Sequence, residues 1–363
     1  MPKAFISEDD IEQSILNLFE QEKLGYNILK LDASPEKMEV LPDGTGRSDK
    51  KECVLPEILW NYLKKLNPGV KEAHLKQVYD SLIKDYTSTD IVQSNYDLYK
   101  KIRDGVKVTF SNTKGVEDFV FIRLINFDEP TENDFTAVSQ MWIKGPYKWR
   151  RPDILVFVNG MPLVFIELKN STRKVEEAFT DNLTNYKKDI PNLFALNQIC
   201  VLSNGLETRI GAFNSTYDFF FEWLKVDSEE ENPNRKQIYE DGTSVYYFVK
   251  GLLRKDRLID YIENFVMFDN GKKLSKIIAK NHQYIGVNNL MKSLKNRKEL
   301  NGKLGVFWHT QGSGKSYSMV FFTRKVNRKV AGNFSFLIIT DRDDLDTQIH
   351  KTFIRCEVVG SKE

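Results

Sequence analysis

The sequence predicts an α/β protein: a mixed sheet with flanking helices over residues 1–268, then the first part of a second α/β unit over residues 269–363. Three observations predict it. Residues 154–158 and 162–168 are almost wholly apolar and flank Asn159-Gly160, the strongest short hairpin signal. Such runs belong to central strands covered on both faces. Apolar residues at helical spacing lie on either side of them, first at Ile11, Ile15, Leu18 and Phe19, then from Val175 to Tyr186. Further on, residues 305–322 read as strand, Gly-rich loop and helix.

Taken in order, Ser7 with Asp10 three residues on predicts an N-terminal cap for the first helix. Residues 31–52 are polar and turn-rich and predict a loop. Helical patterns resume at 55–66 and 71–86. The texture then changes to strands in "VKVTF", "DFVFIRLI" and "DFTAVSQMWI". After the hairpin and its helix, "QICVLSNG" predicts another strand, and "DSEEENPNRK" a charged surface loop. The change of unit falls near residues 265–273. A basic helical segment follows, then two strand–helix pairs, the strands being Val306–Trp308 and Phe334–Thr340. The helical segment near 55–85 has no assigned role.

Bulk properties narrow the class. Hydrophobic residues make up 41% and charged residues 29%, as in soluble globular proteins, and no apolar run has membrane-spanning length. The acidic, helix-like start is unlike a signal peptide. Cys53, Cys200 and Cys356 are odd in number and far apart, which predicts free thiols in a reducing cytoplasm and no zinc site. Charge is unevenly spread. Residues 250–330 hold 18 Lys and Arg against 5 Asp and Glu, whereas residues 1–249 hold 31 against 40. A segment that basic attracts polyanions or forms a solvated face.

The sharpest motif is "HTQGSGKS", residues 309–316. Gly312 and Gly314 free the backbone N–H groups to turn toward a phosphate. The helix start behind them adds its positive dipole end. Ser313 lies between the glycines, Lys315 is placed to reach β and γ phosphates, and the Ser316 hydroxyl to ligate Mg²⁺. His309 stands where the general pattern has Gly.

The hairpin ends in charges: Asp153 at its start, Glu167 and Lys169 at its end. A strict two-residue loop pairs Val158 with Met161 and sets Asp153 against Ile166, so Asp153 and Glu167 fall on opposite faces. A three-residue loop, or a bulge, sets Asp153 across from Glu167 with Lys169 on the same face. If the charges act together, the expectation is an odd loop with Gly160 left-handed, or a bulge. Together they suit phosphodiester hydrolysis. Mg²⁺ takes one or two carboxylates, which Asp153 and Glu167 supply, and the Leu168 carbonyl offers a further oxygen. Lys169 is placed to orient the nucleophile and offset negative charge. The competing reading is a solvated ion pair at a strand end, worth about 1 kcal/mol or less.

The spacing P-D-x13-E-x-K resembles the PD-(D/E)xK nuclease pattern. Residues 309–316 resemble motif I of superfamily 2 helicases and translocases, whose motor is a RecA-like lobe. "IITDRDDLD" resembles their motif Ia, which implies a DNA contact for Arg342, and "NHQY" their Q motif, which implies that Gln283 reads the adenine edge. The combination resembles the N-terminal part of the motor and cleavage subunit of type I restriction enzymes, HsdR. That resemblance runs over most of the chain and implies several things. Asp153, Glu167 and Lys169 are the catalytic set. Mg²⁺ and ATP are cofactors. Double-stranded DNA is the substrate, and methyltransferase and specificity subunits are the partners. The family's Q-x3-Y motif falls on Asn182, a shorter amide, and Tyr186. A helical glutamate completes many such sites, and here the candidates are Glu12, then Glu8. No acidic Walker B strand or second lobe is found in the sequence. The chain alone is therefore expected to bind ATP weakly at most and not to hydrolyse it. Two other readings share these motifs: a nuclease–motor fusion of DNA repair, and a DNA-binding module with a vestigial D…ExK.

Overall fold

A computed structural model describes residues 5–21, 24–87, 89–111 and 115–358. The first helix, α1 (Glu8–Glu20), opens with the expected capping box between Ser7 and Asp10 and buries Ile11, Ile15 and Phe19. Strand β1 (Asn27–Lys30) follows, then the polar loop. Helices α2 (Pro56–Leu66), α3 (Glu72–Leu82) and α4 (Ile91–Asp104) lead to a hairpin, β2 (Val106–Ser111) and β3 (Glu117–Ile122). Next come β4 (Phe135–Ser139), the short pair β5 (Ile143–Lys144) and β6 (Trp149–Arg150), and the central pair β7 (Ile154–Val158) and β8 (Met161–Leu168). Helix α5 (Val175–Glu177) runs through a π-helical turn (Ala178–Leu183) into α6 (Thr184–Asp189) and α7 (Pro191–Leu196). Strands β9 (Ile199–Ser203), β10 (Thr208–Gly211) and β11 (Phe221–Glu222) complete the large sheet. Helices α8 (Arg235–Glu240), α9 (Ser244–Leu252) and α10 (Lys255–Asn264) precede the hairpin β12 (Val266–Asn270) and β13 (Leu274–Ile278). Three helices end the described chain: α11 (Asn281–Lys295), α12 (Lys315–Lys329) and α13 (Asp343–Arg355).

The sheet has seven strands in the order β1-β4-β7-β8-β9-β10-β11. It is mixed: β4, β7 and β8 pair antiparallel, β8 and β9 parallel. Alternate residues of β7 feed opposite cores. Ile154, Val156 and Val158 join α1, α2, α9 and α10 on one face. Leu155 and Phe157 join Phe165, Leu183, Tyr186 and Phe194 on the other. Each such buried side chain contributes about 1.5–3 kcal/mol, so both faces are strongly held.

That symmetry has a consequence for register. A one-residue slip would exchange the faces without exposing apolar side chains, so hydrophobic patterning alone does not fix the pairing. The turn fixes it. Asn159 (φ 50°) and Gly160 (φ 78°) are both left-handed, as a two-residue type I′ turn requires. The buried Asn159 side chain accepts from Asp134 N–H (2.8 Å) and donates to the Leu124 carbonyl (2.9 Å) and Asn133 Oδ1 (2.8 Å). The first turn of α2 lies directly on Gly160: Leu55 N–H donates to the Gly160 carbonyl (2.9 Å). A Cβ at Gly160 would stand 2.6 Å from the Leu55 oxygen and 2.6 Å from Leu59 N. The helix that had no assigned role thus clamps the hairpin turn.

Two expectations change. Residues 306–308 and 334–340 run as irregular chain, not strands. Val306, Trp308, Leu337 and Ile339 are 79–91% exposed. A strand of a parallel sheet is stable only between neighbours that pair its backbone, and none pairs with these segments among the described residues. The division at residue 268/269 falls inside β12. Helix α4 has no clear apolar period in the sequence, because its buried face carries Ser94 and Asn95. Asn95 donates to the Phe194, Ala195 and Asn197 carbonyls.

Candidate active site

The hairpin resolves the register question with a two-residue loop and a bulge. Val158 pairs with Met161 and Phe157 with Pro162, but Val156 pairs with Val164. Leu163 is the extra residue. From there Ile154 opposes Ile166, so Asp153, one step further, stands across from Glu167 on the same face. That face is the one covered by the π turn and α6.

Asp153 Oδ2 accepts the Leu168 N–H at 2.7 Å, which ties the start of one strand to the end of the other. Its Oδ1 accepts from Gln140 Nε2 at 3.4 Å. The same nitrogen donates to Glu12 Oε2. Glu12 is 7% exposed, while Glu8, one turn earlier, faces solvent. Of the two helical candidates, Glu12 therefore joins the cluster and Glu8 acts on it only through its charge. Gln140 was not singled out from sequence. It has φ 58°, a conformation that costs a non-glycine residue of order 1–3 kcal/mol and gathers at functional sites. Its N–H donates to the Asp153 carbonyl at 2.9 Å. The one available sequence signal was a polar residue inside the apolar run "AVSQMWI".

Glu167 is buried at 2% exposure. Asn182 Nδ2 donates to its Oε1, so the shorter amide does reach the carboxylate. Asn182 sits in the π-helical turn, a wider turn that recurs at functional sites. Tyr186, four residues on, lies on the same helix face. Its ring packs edge-on against Phe165 and its hydroxyl donates to the Arg151 carbonyl at 3.2 Å. Lys169 is anchored through its N–H to the Ser203 carbonyl at 2.8 Å, and its positive charge favours ionisation of both Asp153 and Glu167.

The electrostatics are those of carboxylates crowded away from water. Burial pushes Asp153 up to about 7, against the Leu168 hydrogen bond, and the charge of Glu12 adds to the shift. Glu167 is held well above the usual range by burial, then by Asp153. Glu12 is raised by burial and partly relieved by Gln140. Glu167 Oε2 is buried and has no hydrogen-bond partner. Buried polar atoms are rarely left so, and a cation against this oxygen would satisfy it and relieve the repulsion. Among the described residues no group of three or more His, Cys, Asp or Glu side chains has metal-ligand spacing. Mg²⁺ does not need one, since it binds through one or two carboxylates and keeps its waters. Asp153 and Glu167 therefore fit it.

The second motif keeps its helix. Gly312 and Gly314 have φ 77° and 93° and lead into α12 at Lys315. Lys315 Nζ folds back to the His309 carbonyl (2.8 Å) and the Thr310 carbonyl (3.4 Å), partners a phosphate would have to replace. Ser313 Oγ is buried without a partner, and Ser316 is half-buried in the first turn of α12. Gln283 does not stand free to read a base: its Oε1 accepts Lys280 N–H (2.9 Å), and its Nε2 donates to the Gly314 carbonyl (2.9 Å) and Ser318 Oγ (3.2 Å). It fastens the loop to α11. A cavity of about 700 Å³ lies alongside, walled by Gly312, Gly314, Gln283 and Tyr317 among others. Arg342 is the N-cap residue of α13, well exposed, with Asp344 at 3.9 Å.

Comparison with known proteins bears on both motifs. Residues 5–219 match the family model of the type I restriction enzyme R protein N terminus, and residues 282–363 that of the SWI2/SNF2 ATPase. The chain is 36% identical over 361 residues to the type I restriction enzyme HindI endonuclease subunit of Haemophilus influenzae, across 96% of this chain and 33% of that protein. It is 31% identical over 336 residues to the putative type I restriction enzyme MjaIXP endonuclease subunit of Methanocaldococcus jannaschii, across 87% of this chain and 32% of that protein. It thus spans about a third of the length of these relatives. With an R-protein N terminus over most of its length and the start of an ATPase segment behind it, the chain belongs to the family of type I restriction enzyme R proteins, HsdR, and corresponds to their N-terminal part.

Proposed function

We propose that this chain carries the DNA-cutting site of a type I restriction endonuclease and the nucleotide-binding start of its motor. The observation that carries the reading is the bulged hairpin that sets Asp153 across from Glu167, with one Glu167 oxygen buried and unpartnered. The large sheet then belongs to the PD-(D/E)xK nuclease class. Asp153 and Glu167 would hold Mg²⁺, which supplies charge neutralisation at the scissile phosphate and a more acidic water. The chain's other residues prepare that chemistry. Lys169 orients the attacking water and offsets charge on the phosphate. Asn182 fixes the Glu167 carboxylate, and Tyr186 holds the chain leading into Asp153 through the Arg151 carbonyl. Gln140 keeps Glu12 beside Asp153. A vestigial site gains nothing from burying three acids together, which costs several kcal/mol per uncompensated charge.

In the complete protein, residues 312–316 would hold the phosphates of ATP, and hydrolysis by the full motor would draw duplex DNA past the cutting site. Methyltransferase and specificity subunits would recognise the DNA sequence, in the cytoplasm. No helix among the described residues is long and apolar enough to cross a membrane. The test is nicking of covalently closed duplex DNA by the assembled R, methyltransferase and specificity subunits. Cutting that requires both Mg²⁺ and ATP and disappears in Glu167→Gln is the expected result. Cutting that persists in chelator, or that is unchanged in Glu167→Gln, would defeat the proposal.

A further inference from the structure

Three residues before Asp153 ends a small hairpin whose purpose the cutting site does not explain. Strands β5 and β6 pair Ile143 with Arg150 and Lys144 with Trp149, leaving residues 145–148 as the tip. Residues 144–151 carry four cations, Lys144, Lys148, Arg150 and Arg151, and no acid. At the tip Tyr147 is 93% exposed, more than any other large hydrophobic side chain among the described residues. Lys144, Pro146 and Lys148 beside it are exposed too.

The base of this hairpin is firmly built. Gly145 lies so close to the Asp189 carbonyl that a Cβ would collide with it, and its N–H donates to the Lys148 carbonyl at 2.9 Å. Arg150 Nε bonds Asp189 Oδ2 at 2.7 Å, and its guanidinium lies 5.4 Å from the Tyr186 ring centre. The Arg151 guanidinium lies 5.0 Å from the ring of Trp142. Arg150 and Arg151 are thus spent on anchoring, while Lys144, whose ammonium lies 5.3 Å from the Trp149 ring, and Lys148 keep their side chains exposed at the surface. A rigid stem holding out a solvated aromatic ring between two lysines costs apolar exposure and serves no core. A polyanion with flat apolar faces would cover it well, since phosphates take the lysines and sugar and base edges take the ring. Tyr147 is six residues from Asp153, so its Cα lies within about 22 Å of the Asp153 Cα.

We propose that the Lys144–Arg150 hairpin grips duplex DNA beside the cut. Lys144 and Lys148 pair with backbone phosphates, and the Tyr147 ring enters the minor groove, about 6 Å wide, between them. The grip explains how a site that reads no sequence holds its substrate in line, and it rests on the nuclease reading above.

The test is duplex binding by the 363-residue chain, followed by fluorescence anisotropy of a labelled DNA in chelator, across about 50–200 mM salt. Lys144→Ala with Lys148→Ala is expected to lower the slope of log affinity against log salt by about 2, roughly one per lost phosphate contact. Tyr147→Ala is expected to weaken binding several-fold with the slope unchanged. All three side chains are exposed, and equal melting temperatures confirm an intact fold. A parent chain that does not bind duplex at low salt, or variants with the parent's affinity and slope, overturns the proposal; the second result is also what a protein-docking tip would give. Asp153→Ala separates the two readings. It should bind DNA like the parent while abolishing cleavage by the assembled enzyme. If Asp153→Ala still cuts while the lysine variant loses binding, the grip stands and the nuclease assignment falls.

Discussion

Replacing Asp153 with Asn should make the metal-free protein more stable while destroying its proposed function. Burial and the charge of Glu12 push the Asp153 carboxyl from 3.8 to about 7. The native state therefore binds this proton more tightly than the unfolded state does. The sign follows: the destabilisation is absent below about 4, grows as pH rises, and is complete above about 7. The rise from 3.8 to about 7, at about 1.4 kcal/mol per tenfold change in proton affinity, sets a ceiling near 4 kcal/mol. Asn keeps an oxygen for the Leu168 N–H but carries no charge, so Asp153→Asn should recover about 2–4 kcal/mol at pH 8. For a chain of 363 residues, with an unfolding entropy of about 2.1 cal/mol/K per residue, that raises the melting temperature by about 3–5 °C. Thermal unfolding in chelator at pH 5 and pH 8 reads the effect. The gain should be larger at pH 8 and shrink by more than half at pH 5. Added Mg²⁺ should stabilise the parent and leave the variant unmoved. A variant that melts below the parent at pH 8, or a gain independent of pH, would refute the reasoning.

Other substitutions test the supports. Gly160→Ala puts a Cβ at φ 78° against Leu55 and Leu59 and should cost about 2–5 kcal/mol in urea unfolding; a cost under about 1 kcal/mol would mean that α2 does not clamp the turn. Asn182→Ala removes the donor to Glu167. It should weaken Mg²⁺ binding, read by calorimetry, by about 10–100-fold, with Asn182→Gln restoring part of it. Lys315→Ala should abolish stabilisation of the chain by ATP while leaving the pH dependence of unfolding at the carboxylate cluster unchanged, a separation that two thermal scans reveal.

Much of this site could be read in the sequence, and the reasons for the gaps are physical. The charges at the hairpin ends and the Asn-Gly turn were enough to state that Asp153 meets Glu167 only through an odd loop or a bulge. They were not enough to choose. Both strands are apolar on both faces, so nothing in their pattern marks Leu163 as the extra residue. The choice is made by Asn159 and the first turn of α2, which arrive from other parts of the chain. Gln140 was invisible for a similar reason: its importance lies in a left-handed backbone and two carboxylates distant in sequence, Glu12 and Asp153. Helix α4 was hidden by a buried face carrying Asn95, which is satisfied by carbonyls near α7. In the other direction, residues 306–308 and 334–340 have strand composition but no strand neighbours among the described residues, and composition alone does not build a sheet. Gln283 matched a base-reading motif, but its two amide ends are taken by Lys280 and the Gly312–Gly314 loop region.

The central claim is that Asp153, Glu167 and Lys169 cut DNA as one unit. The most direct measurement is Mg²⁺- and ATP-dependent cleavage of closed duplex DNA by the assembled enzyme, comparing the parent with Asp153→Ala and Lys169→Ala. Both variants should still bind DNA and hydrolyse ATP while cleavage falls to background. If either variant cuts DNA at the parent's rate, the hairpin is not the cutting site.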